Sequence, residues 1–182
     1  MTMNGEGDVD AADMSFADNV EVKLPWPQWA ALGATVQLGP SGQLSVGLRW
    51  TDYSSFKRLQ VELRQAPDLI EPLDFRDGVS VHLGTRWSVH PRLTLMGGLS
   101  YDSNTIPDER MQRAFFDAHK LSLSAGASVR VWGSFLIDSA FEAVVAPDRT
   151  VDAVAADGAA NPSPGTYSLG NYTLALGLRY LY

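Results

Sequence analysis

The chain has 182 residues, a formal net charge of −7 and no cysteine. The acidic balance argues against nucleic acid as a partner, because neutralising phosphates requires clustered lysine and arginine. The lack of cysteine excludes disulfide frameworks and cysteine-based metal sites. A transmembrane helix is excluded too, since no apolar run reaches the necessary length. A membrane barrel is not, because only alternate residues of its strands face lipid.

The first segment, residues 1–18, is rich in Gly, Asp and Ala and has no periodicity. This composition predicts a loop or disordered tail. The segment also lacks the basic start and apolar centre of a signal peptide. Since a barrel protein must be exported, we expect the chain to be a fragment of a longer protein, or a gene model that begins at an internal Met.

Alternation of apolar and polar residues predicts strands along most of residues 19–182. The clearest strand is the last, in which the apolar face carries tyrosines near both ends and the other face is small and polar. Each predicted strand is close to the ~9–11 residues that a tilted strand needs to cross a bilayer. The predicted strands are 32–38, 43–51, 79–89, 93–101, 121–131, 135–145 and 172–182. We assign the interface aromatic girdles to Trp50, Trp87, Trp132, Tyr180 and Tyr182.

Short and long connections alternate between these strands. The short links are 39–42, 88–92 and 132–134, and the long ones are 64–77, 102–117 and 147–166. Outer-membrane barrels have short periplasmic turns and longer outside loops. The alternative is a soluble barrel or sandwich, but the polar faces here contain mainly Gly, Ser, Thr and Ala, with less charge than a water-exposed surface carries.

The sequence therefore predicts an all-β fold, a transmembrane antiparallel β-barrel. Residues 1–18 are expected to be a disordered or loop segment, and residues 19–182 to form the C-terminal part of an outer-membrane β-barrel. We expect roughly seven or eight meander strands of a larger barrel.

A succession of short motifs resembles one family of outer-membrane proteins. The chain reads Leu-Pro at 24–25, Trp-Thr-Asp-Tyr-Ser-Ser-Phe at 50–56, Phe-Arg-Asp at 75–77 and Val-His-Leu-Gly at 81–84. Leu-Ser-Tyr-Asp-Ser at 99–103, Ile-Pro-Asp at 106–108 and Leu-Ser-Leu-Ser-Ala-Gly at 121–126 follow. In order and spacing these are similar to the C-terminal half of the FadL/TodX-type transporters of long-chain fatty acids and hydrocarbons. The resemblance implies a bacterial outer-membrane protein that is not an enzyme, has no cofactor and lets hydrophobic substrates diffuse passively through the barrel.

Four apolar residues on predicted outside loops are candidates for substrate binding: Leu69, Ile70, Phe115 and Phe116. Exposed apolar groups often mark binding sites. By analogy with the family, they would capture a fatty acyl or hydrocarbon chain before it passes inside. The alternative is that they pack loop against loop.

Charged residues on the inner faces of the last strands are Arg130, Asp138, Glu142 and Arg179. A short turn at 132–134 would place Ser128 opposite Asp138, with Arg130 diagonal to it. One interpretation is a charge ladder that neutralises the lumen wall. The other is that Arg130 or Arg179 binds a substrate carboxylate.

We therefore expect outer-membrane transport of hydrophobic compounds such as long-chain fatty acids. The other partners are outer-membrane lipid and the barrel-assembly machinery, which would recognise the aromatic C-terminal strand. The alternative is a small self-contained outer-membrane barrel with a structural or lipid-hydrolase role, in which His82 would act with Ser80 or Ser124. No metal site is expected, because the three histidines are far apart in sequence.

Overall fold

The computed structural model describes residues 2–11, 14–23, 26–63, 69–111, 116–152 and 163–181. Thirteen strands lie in these ranges, with two short 3-10 turns at Tyr53–Ser55 and Asp108–Arg110. The strands are β1 (Thr2–Ala11), β2 (Met14–Lys23), β3 (Trp29–Leu38), β4 (Gly42–Thr51), β5 (Arg58–Leu63), β6 (Leu69–Pro72), β7 (Gly78–His90), β8 (Leu93–Asp102), β9 (Lys120–Trp132), β10 (Phe135–Val145), β11 (Arg149–Val151), β12 (Gly165–Tyr167) and β13 (Gly170–Tyr180).

Seven of these strands form one antiparallel sheet in the order β13-β10-β9-β8-β7-β4-β3. The prediction of roughly seven or eight meander strands is thereby confirmed. Tight turns at 39–41, 91–92 and 133–134 join neighbouring strands at one end of the sheet, and the segments 52–77, 103–119 and 146–169 join them at the other. The predicted alternation of short and long connections is therefore confirmed. We call these two ends the short-turn end and the long-loop end.

The two faces of the sheet differ in exposure as well as in polarity. On β9, Leu123 is 62% exposed, whereas the adjacent Ser122 and the inner-facing Ser128 are 7% and 5% exposed. Apolar residues on the same face of the other strands are exposed in the same way. This face is suited to lipid, and the small polar face is the wall of a lumen.

Aromatic side chains mark both ends of the apolar face. Trp87, Trp132 and Tyr180 lie at the short-turn end, where the Phe135 and Tyr180 rings are 5.0 Å apart. Tyr172, eight residues before Tyr180 on β13, lies at the long-loop end. Eight residues span about 26 Å along a strand, or about 20 Å along the membrane normal at an ordinary tilt, which is the order of the apolar band of a membrane barrel.

At the long-loop end, Trp50, which is predicted to belong to the girdle, is joined to the loops. The indole Nε1 of Trp50 donates to Asp77 Oδ2 at 3.0 Å, and the Ser54 amide donates to Asp77 Oδ1 at 3.1 Å. Hydrogen bonds from Ser54, and a further one from Trp50, hold the pKa of Asp77 below its ordinary value. Among the predicted girdle residues, Tyr182 lies outside the described residues.

A second, four-stranded sheet has the order β1-β2-β5-β6. β1 and β2 pair from Thr2–Lys23 to Ala11–Met14, so the structure differs here from the loop or disordered tail expected for residues 1–18. Composition is a weak guide to strand formation, because pairing with a neighbouring strand overrides intrinsic preference. β6 places strand structure inside the predicted long connection 64–77, where only a loop was expected, and it pairs with β5, which ends just before that connection.

Within the described ranges, neither helical segment has the length and apolar character needed to cross a membrane.

Candidate functional site

The largest buried apolar cluster of the described residues lies among the long loops rather than in the sheet. Met111 is fully buried there, together with Ile106 and Val151. Phe75, Phe116 and Tyr167 pack around them, and the Phe116 and Tyr167 rings stack with centroids 5.2 Å apart. All three long connections contribute to this set, which we call the loop cluster: Phe75, Ile106, Met111, Phe116, Val151 and Tyr167.

Arg149 ties the third long connection to the second. Its Nε donates to Asp108 Oδ1 at 2.9 Å, and its Nη2 forms an ion pair with the same carboxylate. Nη1 donates to Asn104 Oδ1 at 2.9 Å and to the Asp117 carbonyl at 2.6 Å, and Nη2 donates to the Ile106 carbonyl at 2.6 Å. The side chain is only 13% exposed. Arg149 therefore satisfies loop acceptors that burial would otherwise leave unpaired.

A partly buried aspartate holds the base of the second connection. Asp117 Oδ2 accepts from the Thr105 amide at 2.9 Å and the Thr105 hydroxyl at 2.8 Å, while Oδ1 is paired with Lys120. Burial alone raises the pKa of Asp117, but the hydrogen bonds from Lys120 and Thr105 outweigh it, and the pKa lies below the ordinary value. The carboxylate is therefore ionised at neutral pH and fixes Lys120 at the start of β9.

Directly below the loop cluster, four polar residues form a row across four strands. The pairing register places Arg49 of β4 opposite Ser80 of β7, Ser80 opposite Asp102 of β8, and Asp102 opposite Lys120 of β9. The Ser80 hydroxyl donates to Asp102. We call this set the polar row. It crosses the lumen wall at the long-loop end.

The polar row and the loop cluster enclose a cleft, which we call the upper cleft. Its volume is about 400 Å³, within the range of small-molecule sites, which begins near 300 Å³. All four residues of the polar row line it, and so do Phe75, Ile106 and Phe116 from the loop cluster. The cleft thus has an apolar roof and a charged wall. A second cleft of about 400 Å³ among the same loops is lined by residues that include Arg76, His119 and Asp148.

At the short-turn end, the lumen wall carries a separate group of charges. Ser128 lies opposite Asp138 as predicted, although the turn has two residues rather than three and a bulge at Phe135–Leu136 supplies the register. Asp138 is paired with Arg179 of β13, whose Nη2 also donates to Ser128 Oγ at 3.1 Å. Arg130 is opposite Leu136 and forms no ion pair within the described part of the chain. Asp138 therefore pairs with Arg179 and not, as the predicted diagonal position suggested, with Arg130.

The remaining predicted site residues fall in different places. Glu142 lies opposite Ser124 and Thr173, higher on the lumen wall than Asp138. Phe116 belongs to the loop cluster and also lines the upper cleft. Leu69 and Ile70 lie in β6, where only their backbone is described, and Phe115 lies outside the described residues. The structure therefore leaves both interpretations of these loop residues open as predictions.

The residues proposed for a hydrolase role are not brought together as a catalytic pair. Ser80 donates to Asp102, not to His82. His119, in contrast, accepts at Nδ1 from the Asn104 amide at 3.3 Å and lies 2.7 Å from the Tyr101 hydroxyl. Across the described ranges, no group of three or more His, Asp or Glu side chains is arranged to hold a metal ion.

Comparison with known proteins agrees with this architecture. Residues 2–182 match the model of the outer membrane protein transport family OMPP1/FadL/TodX. The chain belongs to this family. The chain is accordingly a bacterial outer-membrane protein, and its seven-stranded sheet is part of a FadL-type transmembrane barrel.

Each of three similar proteins matches part of the chain. The long-chain fatty acid transport protein of Escherichia coli O6:H1 (strain CFT073) is 24% identical over 132 residues, or 68% of this chain and 30% of that protein. The 47 kDa outer membrane protein of Pasteurella multocida (strain Pm70) is 25% identical over 119 residues, or 65% of this chain and 28% of that protein. The crystal structure of a Pseudomonas aeruginosa FadL homologue matches with a TM-score of 0.80 and 21% identity, covering 92% of this chain and 38% of that chain. The chain thus spans less than two fifths of the length of these three proteins.

Sequence reasoning missed three elements of the site. Arg149 and Asp117 lie in long connections, where no periodicity indicates a partner. Arg49 lies on the polar face of the predicted strand 43–51, but its place at the edge of a cleft depends on the loops that contribute the other lining residues. The signal that points to Arg49 is its position two residues before the end of β4.

Proposed function

We propose that the protein takes part in outer-membrane transport of hydrophobic compounds such as long-chain fatty acids, by passive diffusion through a FadL-type barrel. The observation that carries this proposal is the upper cleft, in which the apolar loop cluster covers the long-loop end of a small-residue lumen wall. A compound with an alkyl chain would leave water by contacting the roof, and this transfer is favourable without any chemical step.

The loop residues Leu69, Ile70, Phe115 and Phe116 are proposed to capture the substrate first. The place of Phe116 supports this role, because its ring lines the upper cleft while it stacks on Tyr167. Arg130 is proposed as a carboxylate-binding group deeper in the lumen. Its guanidinium has no acidic partner in the described ranges, whereas Arg179 is engaged by Asp138 and Ser128.

Uptake by living cells tests the proposal. The full-length gene is expressed in a Gram-negative host that lacks its own long-chain fatty acid transporter, and uptake of radiolabelled oleate is measured. We expect uptake to exceed that of cells with an empty vector. A protein that reaches the outer membrane as a heat-modifiable barrel and still gives no uptake of oleate, or of a labelled aromatic hydrocarbon, contradicts the proposal. Uptake of the hydrocarbon alone contradicts only the fatty acid assignment.

We also propose that the final strand is recognised by the barrel-assembly machinery and that the apolar face contacts outer-membrane lipid. β13 has alternate apolar residues with an aromatic ring near each end, which is the pattern of a membrane-facing terminal strand. Deletion of Tyr182 is expected to reduce the amount of folded protein in the outer membrane. Normal insertion of the deletion variant, measured by heat-modifiable migration, contradicts recognition through this residue.

A further inference from the structure

Arg49 differs from the paired cations of the described region. Arg110, Lys120, Arg149 and Arg179 each form an ion pair with an aspartate, but within the same ranges Arg49 has no carboxylate partner. Its guanidinium lies over the Trp29 ring, 5.3 Å from the centroid. Trp29 is opposite Thr51, two residues from Arg49 on the same face, so the ring also faces the lumen. Stacking on an aromatic face holds a guanidinium in place while leaving its in-plane donors open.

The surroundings of Arg49 define the kind of molecule that would occupy the site. The upper cleft brings Arg49 together with the apolar side chains of Phe75, Ile106 and Phe116. An amphiphile with an alkyl chain and an anionic head matches both parts of this lining. The head would supply the acidic partner that Arg49 lacks, and the chain would contact the apolar roof.

The other charges of the polar row direct the anion toward Arg49. Lys120 is already neutralised by Asp117, and Asp102 is a negative charge held by Ser80. Asp102 lies two strands from Arg49, which is about 10 Å at the ordinary strand spacing. An anionic head is therefore favoured at the β4 end of the row and repelled by Asp102 on β8.

We propose that Arg49, oriented by Trp29, binds the carboxylate of an alkyl carboxylic acid at the outer end of the lumen. A carboxylate fits better than a neutral head because its two oxygens accept the parallel N–H groups of a guanidinium. This inference rests on the proposed function, and it adds a polar contact that the substrate makes before it reaches Arg130. It also predicts that the protein distinguishes acids from uncharged alkyl compounds at this position.

Binding to the purified full-length protein tests the assignment. The dissociation constants of oleic acid and oleyl alcohol are measured for the wild type and for Arg49→Gln, Arg49→Lys and the control Arg92→Gln, which removes an exposed arginine from a short turn at the opposite end of the sheet. We expect Arg49→Gln to weaken oleic acid about tenfold to a hundredfold, as for loss of a charge-assisted hydrogen bond. Oleyl alcohol should change little, Arg49→Lys should weaken the acid less, and Arg92→Gln should behave as wild type.

Several results overturn the assignment. One is an unchanged affinity of Arg49→Gln for oleic acid, and another is an equal loss for acid and alcohol. If wild-type protein binds the alcohol as tightly as the acid, the carboxylate site is wrong while the transport proposal stands. If it binds neither and cells show no uptake, the transport proposal fails as well.

A measurement on the wild type covers the case in which Arg49→Gln does not fold. Affinity for oleic acid should fall as the pH is lowered through the pKa of the fatty acid itself, with no parallel loss for oleyl alcohol. Equal pH profiles for the two ligands overturn the assignment without any variant.

Discussion

Arg179 and Asp138 form a two-point ion pair across β13 and β10 on the lumen wall, with Nε 3.1 Å from Oδ2 and Nη2 3.0 Å from Oδ1. The pair joins the last two strands of the sheet near the short-turn end, where Ser128 extends it to β9. Arg179 thereby has most of its donors engaged on the wall itself. It is a bridge between strands, while the unpaired Arg130 on the far side of Leu136 remains open toward the lumen.

We expect the pair to stabilise the barrel only slightly. Both side chains are a third or more exposed, and exposed ion pairs contribute little. Asp138→Asn and Arg179→Gln, alone and together, should shift the urea midpoint of barrel unfolding little more than Glu142→Gln does, a control on the same face of β10. A large non-additive effect in the double variant would mean that the complete barrel buries this pair.

Arg149 should matter far more than the exposed arginine of the neighbouring ion pair. Arg149→Ala removes the donors of four loop acceptors, and we expect it to destabilise the loop cluster by about 2–4 kcal/mol. Arg110→Ala is the matched control, because Arg110 and Asp74 are 36% and 49% exposed and the expected loss is below about 1 kcal/mol. Hydrogen exchange of residues 103–119 measures the difference, and equal protection in the two variants contradicts the role given to Arg149.

The loop cluster should weaken at low pH through Asp117. Its pKa is lower in the folded protein than its ordinary value of 3.8, so the ionised form stabilises the fold above that value. This contribution is lost as the pH falls below 3.8 and through the folded value. Proteolysis of the loops between pH 6 and pH 3 should show the loss in the wild type, and Asp117→Asn should remove most of the pH dependence. An unchanged dependence in Asp117→Asn assigns it to another group.

Phe116 distinguishes capture of substrate from packing between loops. Phe116→Ser is expected to reduce initial binding of oleate by cells, because it removes part of the roof of the upper cleft. Tyr167→Ser is the control. Tyr167 stacks on Phe116 but is not among the described residues that line the upper cleft. If both variants lose binding equally and both loosen the loops, the ring serves packing alone.

The sheet could be predicted from the sequence for two reasons. Apolar and polar residues alternate within each strand, and each tight turn limits how the two strands that it joins can be aligned. Ser128 lies opposite Asp138 as predicted, but the two-residue turn gives this register only together with a bulge at Phe135–Leu136, which the sequence did not reveal. The partner of Asp138 did not follow, because β10 and β13 are joined by a long connection whose length sets no register. Arg149 was missed for a similar reason, since its acceptors lie 32 to 45 residues away in sequence. Pairing of β1, β2, β5 and β6 depends on backbone partners that composition does not reveal.

The loops and the sheet are stabilised by different interactions, because the buried apolar cluster lies among the loops. Met111 and its neighbours exclude water, so the loops are held by a force that weakens on cooling and in urea. The strands below turn their apolar side chains outward, to the face suited to acyl chains, and are held to one another by backbone hydrogen bonds between neighbouring strands. Cooling or mild denaturant should therefore loosen the loop cluster while the sheet stays folded. Temperature alone can then change how readily a substrate enters at the long-loop end.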